Sequence, residues 1–253
     1  MCTVLLRFAP GSQWPVLLAA VRDEFADRSW DPPGAHWGDR WPGLLGGRDR
    51  TAGGTWLAVD AGPDRPAVAA LLNGVRRPPL ADGTPRPTRG TLALDALTSG
   101  MALDAEALRD YAGFHLLVAT LQSVKVWSWD AEALTHRTLE PGHHVAVNLG
   151  VDTPDDPLVP HFTPRLAALP TPTPTPGAST GAAWGAWVDL LLGDHLDPED
   201  PRALIVHREI EGRTYQSTSA SMVALSAKGV RYDFSGEPTD PHAWHEVTTS
   251  IRR

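Results

Sequence analysis

Residues 14–21, WPVLLAAV, run apolar without alternation, and a strand of that kind needs cover on both of its faces. The β-rich stretch CTVLLRF (2–8) precedes it across the turn residues APGSQ. The two read as paired strands, with the second buried on both sides. A chain of 253 residues with 42% hydrophobic content has the material for a packed core around such a pair.

Strand pairing recurs along the chain. TWLAVD (55–60) and AVAALLNG (67–74) flank the turn AGPDRP, and FHLLVATLQ (114–122), VKVWSWD (124–130) and HHVAVNLG (143–150) read as further strands. TLALDALTSG (91–100) and LDAEALRDYAG (103–113) read as short helices. The first stops at a Gly C-cap; the second has Asp104 at its N-cap and Gly113 past its end. The segment RSWDPPGAHWGDRWPGLLGGRDRTAGG (28–54) holds too many Pro and Gly for a regular element and is too long for an idle connection, so it reads as a working loop. The tract LPTPTPTPG (169–177) is stiff polyproline II. One amphipathic helix (181–194) and the strands ALIVHREI (203–210), TYQSTSASMVALS (214–226) and GVRYDF (229–234) follow it, which is thin for an independent core. These strands are expected to complete a sheet begun earlier, with 169–177 as a surface connection inside a single domain of residues 1–253. Strands at both ends with helices between them point to an α+β or layered α/β/α arrangement.

The balance of 22 basic against 30 acidic side chains, a formal charge of −8, repels a phosphate backbone and argues against a nucleic-acid partner. The single cysteine, Cys2, can form no internal disulfide and no cysteine cluster for zinc, which fits a reducing, cytoplasmic location. MCTVLL lacks the basic start of a secretory signal, and no apolar run nears the roughly 20 residues of a membrane span. His143 with His144, and His242 with His245, lack a third ligand at motif spacing, so no metal is expected. Nucleophile-elbow, phosphate-loop and dinucleotide-binding motifs are absent from the sequence.

Cys2 carries the sharpest chemistry. Removal of Met1 leaves an α-amine and a thiol on one residue, so that base and nucleophile are adjacent. Such a residue needs a cation favouring the thiolate, a carboxylate orienting the amine, and donors for an oxyanion. Arg22 and Asp23 end the second strand, and hairpin pairing returns that end to Cys2. Asn73 and Asn148 each end a strand-like run, where a side-chain amide can meet developing negative charge. Trp30, Trp37 and Trp41 crowd residues 28–54 together with His36, as rigid surfaces able to wall a pocket.

MCTVLLRF, WPVLLAAVRDEF, HWGDRWPGLLGGRD, AGGTWLAV and AALLN, in this order over residues 2 to 74, resemble the start of the NRDE family, also called the Transport and Golgi organisation 2 family. Weaker similarity continues in RGTLALDAL, YAGFHLLVA, PGHHVAVNLG and GRTYQSTSASMVAL. The name-giving Asn-Arg-Asp-Glu reads Val21, Arg22, Asp23, Glu24 here, so the asparagine position holds valine. The resemblance implies an N-terminal nucleophile hydrolase-like fold of four layers, α/β/β/α. The pattern is also similar to the choloylglycine hydrolase and penicillin V acylase group. That similarity implies Cys2 as nucleophile, Arg22 as its electrostatic partner, Asp23 as the amine's orienter, Asn73 and Asn148 around the oxyanion, and Arg213 as a supporting cation. The substrate would then be a small-molecule amide or acyl compound, with no cofactor required. The family also implies an opposing reading, a haem or lipid/acyl-CoA binding and trafficking protein. There Trp30, His36, Trp37 and Trp41 wall an apolar pocket, and Cys2 or His115 touches haem iron.

Overall fold

The chain is described from a computed structural model covering residues 2–76, 84–100 and 103–250. The opening pair forms as its pattern requires. β1 (Cys2–Phe8) and β2 (Val16–Phe25) run antiparallel, in register from Cys2 opposite Arg22 to Phe8 opposite Val16. Every residue of β2 from Val16 to Asp23 is buried.

Residues 28–54 depart from the loop expectation. They contain β3 (Trp30–Gly34) and β4 (Leu44–Asp49). Pro32 and Pro33 are tolerated because β3 is an edge strand whose register with β4 breaks between Asp31 and Gly34, where a missing N–H breaks no ladder. β5 (Leu57–Asp60) and β6 (Ala67–Asn73) then pair as expected, and α1 (Leu92–Thr98) follows. The helix expected over 103–113 is instead a series of turns. Asp104 does cap, through a 2.8 Å bond from the Ala107 N–H to its side chain. The bonds that follow from Arg109 to Glu106 and from Tyr111 to Leu108 are three-residue turns, and they carry the chain to Gly113. A β-carbon on Gly113 would lie 3.1 Å from the backbone oxygens of Arg76 and Trp129, so packing against the sheet end prevails over helix propensity.

β7 (Phe114–Thr120), β8 (Val124–Trp129), β9 (Leu134–Leu139), β10 (Gly142–Val147) and β11 (Gly150–Val151) follow. α2 (Leu158–Ala168) was hidden in the sequence by its prolines; Pro160 lies in its first turn, where an N–H has no helical acceptor. The helix expected as one piece over 181–194 is two, α3 (Thr180–Trp184) and α4 (Ala186–Leu191), broken at Gly185 with φ 52° and ψ −129°. The chain ends with β12 (His207–Ile210), β13 (Arg213–Ser226), β14 (Gly229–Ser235), β15 (His245–Glu246) and α5 (Val247–Ser250).

Two antiparallel sheets result. One has the order β11-β10-β1-β2-β13-β14-β15, with β12 beside β13; the other runs β3 to β9 in sequence order. The late strands thus complete the sheet that the N-terminus begins. Val4, Leu6, Phe8, Leu18 and Val223 of the first sheet meet Leu57, Val68, Ala70 and Leu117 of the second in a core between them. Leu5, Leu17, Ala19 and Met222 face α2 to α4 on the outer side of the first sheet. Ala58, Ala69 and Leu116 face α1 on the outer side of the second. This is the expected four-layer α/β/β/α sandwich. Cys2 opens an interior strand of it, with β10 on one side and β2 on the other.

Candidate active site

Strand alternation sets the site. Even-numbered residues of β1 and β2 (Val4, Leu6, Leu18, Ala20) face the space between the sheets, so Cys2 and its cross-strand partner Arg22 both point there at its open end. Arg22 is 4% exposed and is held on every side. Its Nη1 donates to the Thr218 hydroxyl at 2.8 Å. Its guanidinium carbon stands 4.5 Å from the Trp56 ring centroid, and Glu24 and Asp49 lie 3.8 and 3.9 Å from Nη2. Arg28 binds Asp49 at 2.6 Å and lies 3.7 Å from Glu24. The four charges form a closed group joining β2 to β4.

Thr218 reaches Arg22 because β13 carries a bulge. Ser217 pairs with Asp23 and Ser219 with Arg22, leaving Thr218 as the extra residue. The bulge also changes which face Ser217 occupies, and its hydroxyl donates to Asp23 Oδ1 at 2.6 Å. Asp23 is buried, and burial raises its carboxyl to about 7 although the positive chain terminus, the Ser217 bond, Arg208 and Arg22 favour the charged form. Burial pushes the Cys2 thiol above its ordinary value, and the Asp23 carboxylate adds to this, while the positive chain terminus, the Asp23 backbone N–H and Arg22 favour the thiolate.

Asn148 ties the two sheets together at Cys2. Its Oδ1 accepts from the Cys2 nitrogen at 2.9 Å, and its Nδ2 donates to the Asn73 backbone oxygen at 2.6 Å. The amide orientation follows from chemistry, since the first partner only donates and the second only accepts. Asn148 is thus placed as a clamp on the Cys2 nitrogen, with one of its two NH2 hydrogens on Asn73; the expected oxyanion role would fall to the other hydrogen. Asn73 lines the cleft with an exposed side chain that has no hydrogen-bond partner among the described residues. His115 supports the clamp by donating from Nε2 to the Asn148 backbone oxygen at 3.2 Å, which leaves Nδ1 to accept from the Ser128 hydroxyl at 2.8 Å.

Cys2, Arg22, Asp23 and Asn73 open onto one cleft of about 710 Å³, walled by Glu24, Arg28, Asp49, Trp56 and residues 86–90. Arg213 stands at its rim, bound to Asp27 at 2.6 Å and stacked 3.8 Å from the Phe25 ring, rather than beside the thiol. Trp30, His36, Trp37 and Trp41 are not in the lining. Trp30 packs edge-on against Trp56 and Phe234. His36 binds the Pro32 oxygen at 2.7 Å, Trp37 the Gly53 oxygen at 2.9 Å, and buried Trp41 the Asp95 carboxylate at 2.9 Å. The aromatic residues of the lining are Phe25 and Trp56, of which sequence reasoning passed over Trp56. Its ring lies over Gly47 of β4, where a β-carbon would fall 2.2 Å from it. Asp49 and Arg28 were missed as well, being separated in sequence and joined only by the β3–β4 pairing. Among the described residues no cluster of three metal-ligating side chains occurs, and no helix is long and apolar enough to cross a membrane.

Residues 1–162 match the family Transport and Golgi organisation 2. No curated protein matches the chain. Among solved structures, a Caenorhabditis elegans N-acylethanolamine-hydrolyzing acid amidase ortholog is similar over 96% of this chain and 95% of its own, with a TM-score of 0.45 and 12% identity.

Proposed function

We propose, from the premise that this chain belongs to the Transport and Golgi organisation 2 family, that it is an N-terminal cysteine amidohydrolase acting on a small-molecule amide or acyl compound in the cytoplasm. The observation that carries the reading is the convergence on Cys2. Its nitrogen is held at 2.9 Å by Asn148, Arg22 stands opposite in register, and both open onto a cleft large enough for a small molecule.

Loss of Met1 turns the Cys2 nitrogen into an α-amine at the same place. The amine takes the thiol proton and the sulfur attacks the acyl carbon, forming the C–S bond. The oxygen of the tetrahedral intermediate carries the charge, toward which the Asn73 side-chain amide is free to donate. Collapse breaks the C–N bond, and the α-ammonium returns its proton to the leaving nitrogen. Water then attacks the thioester with the amine again as base, releasing a carboxylic acid and restoring the thiol. Asp23, with its carboxyl raised to about 7, is suited to hold the amine as its charge changes.

The binding alternative has less support. Haem would need a ligand and an apolar wall; both ring nitrogens of His115 are engaged, which leaves the Cys2 thiol, and the cleft around that thiol is lined by charged side chains. The test is intact mass followed by acylation. The untagged protein should lack Met1 and gain one acyl group at Cys2 with p-nitrophenyl acetate. Amide hydrolysis should fall strongly in Cys2→Ser and vanish in Cys2→Ala. Unchanged hydrolysis in Cys2→Ala refutes the mechanism, and retention of Met1 with a saturable haem titration transfers support to the binding reading.

A further inference from the structure

The β10–β11 hairpin has a two-residue tip, Asn148 and Leu149, between the paired residues Val147 and Gly150. The clamp on Cys2 sits at that tip. Whatever fixes the hairpin therefore fixes the Cys2 nitrogen.

One side chain reaches both flanks of the hairpin. His144, opposite Leu6 of β1, has Nδ1 2.7 Å from Asp152 Oδ2 and Nε2 2.8 Å from the Glu140 backbone oxygen. The other Asp152 oxygen accepts the Val145 N–H at 2.9 Å, and the Asp152 N–H returns to the Val145 oxygen at 2.8 Å. A carbonyl only accepts. Burial opposes the charge on Asp152, but the His144 and Val145 bonds hold its carboxyl below the usual range, so it too only accepts. Both ring nitrogens must then carry hydrogen, and the imidazolium alone does so. In neutral histidine one of the two contacts becomes a lone pair facing a lone pair.

The cations nearby oppose this state, and the Asp152 and Glu140 bonds outweigh them. Arg137 of β9 donates to the Val151 oxygen at 2.7 Å and disfavours a second cation at His144. His143 is itself discouraged from charging by burial, by Arg7 of β1 and by His144. Burial works against the imidazolium of His144, yet the bonds to Asp152 and Glu140 raise its pKa above the ordinary histidine value.

We propose that His144 is a positioning residue for the Cys2 site: its imidazolium locks the base of the β10–β11 hairpin, so that Asn148 at the tip holds the Cys2 nitrogen against the Asn73 backbone. The catalytic consequence rests on the amidohydrolase reading; the effect on the hairpin does not. For a group whose pKa is raised by folding, the lock is fully present below the ordinary histidine pKa and is lost as pH rises through the folded value. The clamp is thus firm in mild acid and loosens toward alkaline pH.

The experiment compares wild type with His144→Gln and Asp152→Asn. NMR follows the His144 ring titration and the hydrogen exchange of the Val145 and Asp152 amides, each normalised to intrinsic rates and to β1–β2 amides as a control for folding. Wild-type protection should drop about tenfold across the ring midpoint, the worth of one charge-assisted hydrogen bond. In His144→Gln it should be low and independent of pH, and in Asp152→Asn the drop should move to lower pH. Wild-type protection that is constant across the midpoint, or equal to that of His144→Gln, overturns the proposal. The second readout is acylation of Cys2 by p-nitrophenyl acetate. The ratio of wild type to His144→Gln should be about tenfold below the midpoint and near one above it, and a ratio flat with pH refutes positioning. If neither protein is acylated, the amidohydrolase reading fails while hydrogen exchange still decides the role of His144.

Discussion

Asp23 offers the most direct test of how the site is built. Its carboxyl rises from 3.8 to about 7, with burial as the leading cause. A raised acid holds its proton longer in the folded state than in the unfolded one, so stability falls as pH climbs from the unfolded to the folded value. At about 1.36 kcal/mol per unit, this shift corresponds to about 4 kcal/mol once Asp23 is fully ionised. Linkage places about 2 to 3 kcal/mol of that loss between about pH 5 and about pH 8. Asp23→Asn removes the ionisation, keeps the shape and retains an acceptor for the Ser217 hydroxyl. Urea unfolding of both proteins at the two pH values gives a double difference in which the other titrating groups, His144 among them, cancel. The wild type should lose about 2 to 3 kcal/mol more than Asp23→Asn over that interval, while Asp23→Asn loses hydrolysis through misplacement of the Cys2 amine. Equal pH dependence in the two proteins refutes the claim that Asp23 is an ionisable group held against its preference beside the nucleophile.

Gly47→Ala should push Trp56 off Arg22, because the added carbon falls 2.2 Å from the ring; KM for the cleft's substrate should rise with kcat less affected, as steady-state kinetics will measure. Asn73→Ala should lower kcat about a hundredfold or more without changing the urea midpoint, because the strap to Asn148 uses its backbone oxygen and not its side chain. Arg231→Met should cost about 3 to 5 kcal/mol in urea unfolding. Arg231 is fully buried against Asp233 at 2.7 Å and also donates to the Thr175 and Ala178 oxygens, so its loss should speed exchange at residues 178–184.

The residues differ in how much of their place the sequence could disclose, and the reason is the range of the interaction that fixes each. The β1–β2 hairpin was legible because one apolar period and one turn determine it, and its register brings Cys2 to Arg22 with no help from the rest of the chain. The helix expected over 103–113 failed because its local signals, including the Asp104 cap, are weaker than the fit of Gly113 between two backbone oxygens. The tryptophans of 28–54 looked like a pocket wall because they are dense in sequence, but the connection between β3 and β4 turns Trp41 into the core beneath α1, bonded to Asp95, and β3 sets Trp30 against Phe234. Trp56 takes the wall because β4 offers Gly47 to its ring, a contact visible only once β4 and β5 are neighbours. The bulge at Thr218 is the extreme case, a single unmatched residue 196 positions from Arg22 that supplies a hydroxyl to the guanidinium and turns Ser217 toward Asp23. Its function lies in the register of two strands, so no local pattern carries it. Deleting one residue there would leave composition and periodicity nearly unchanged while separating Arg22 and Asp23 from their partners, and the site depends on that offset as much as on Cys2.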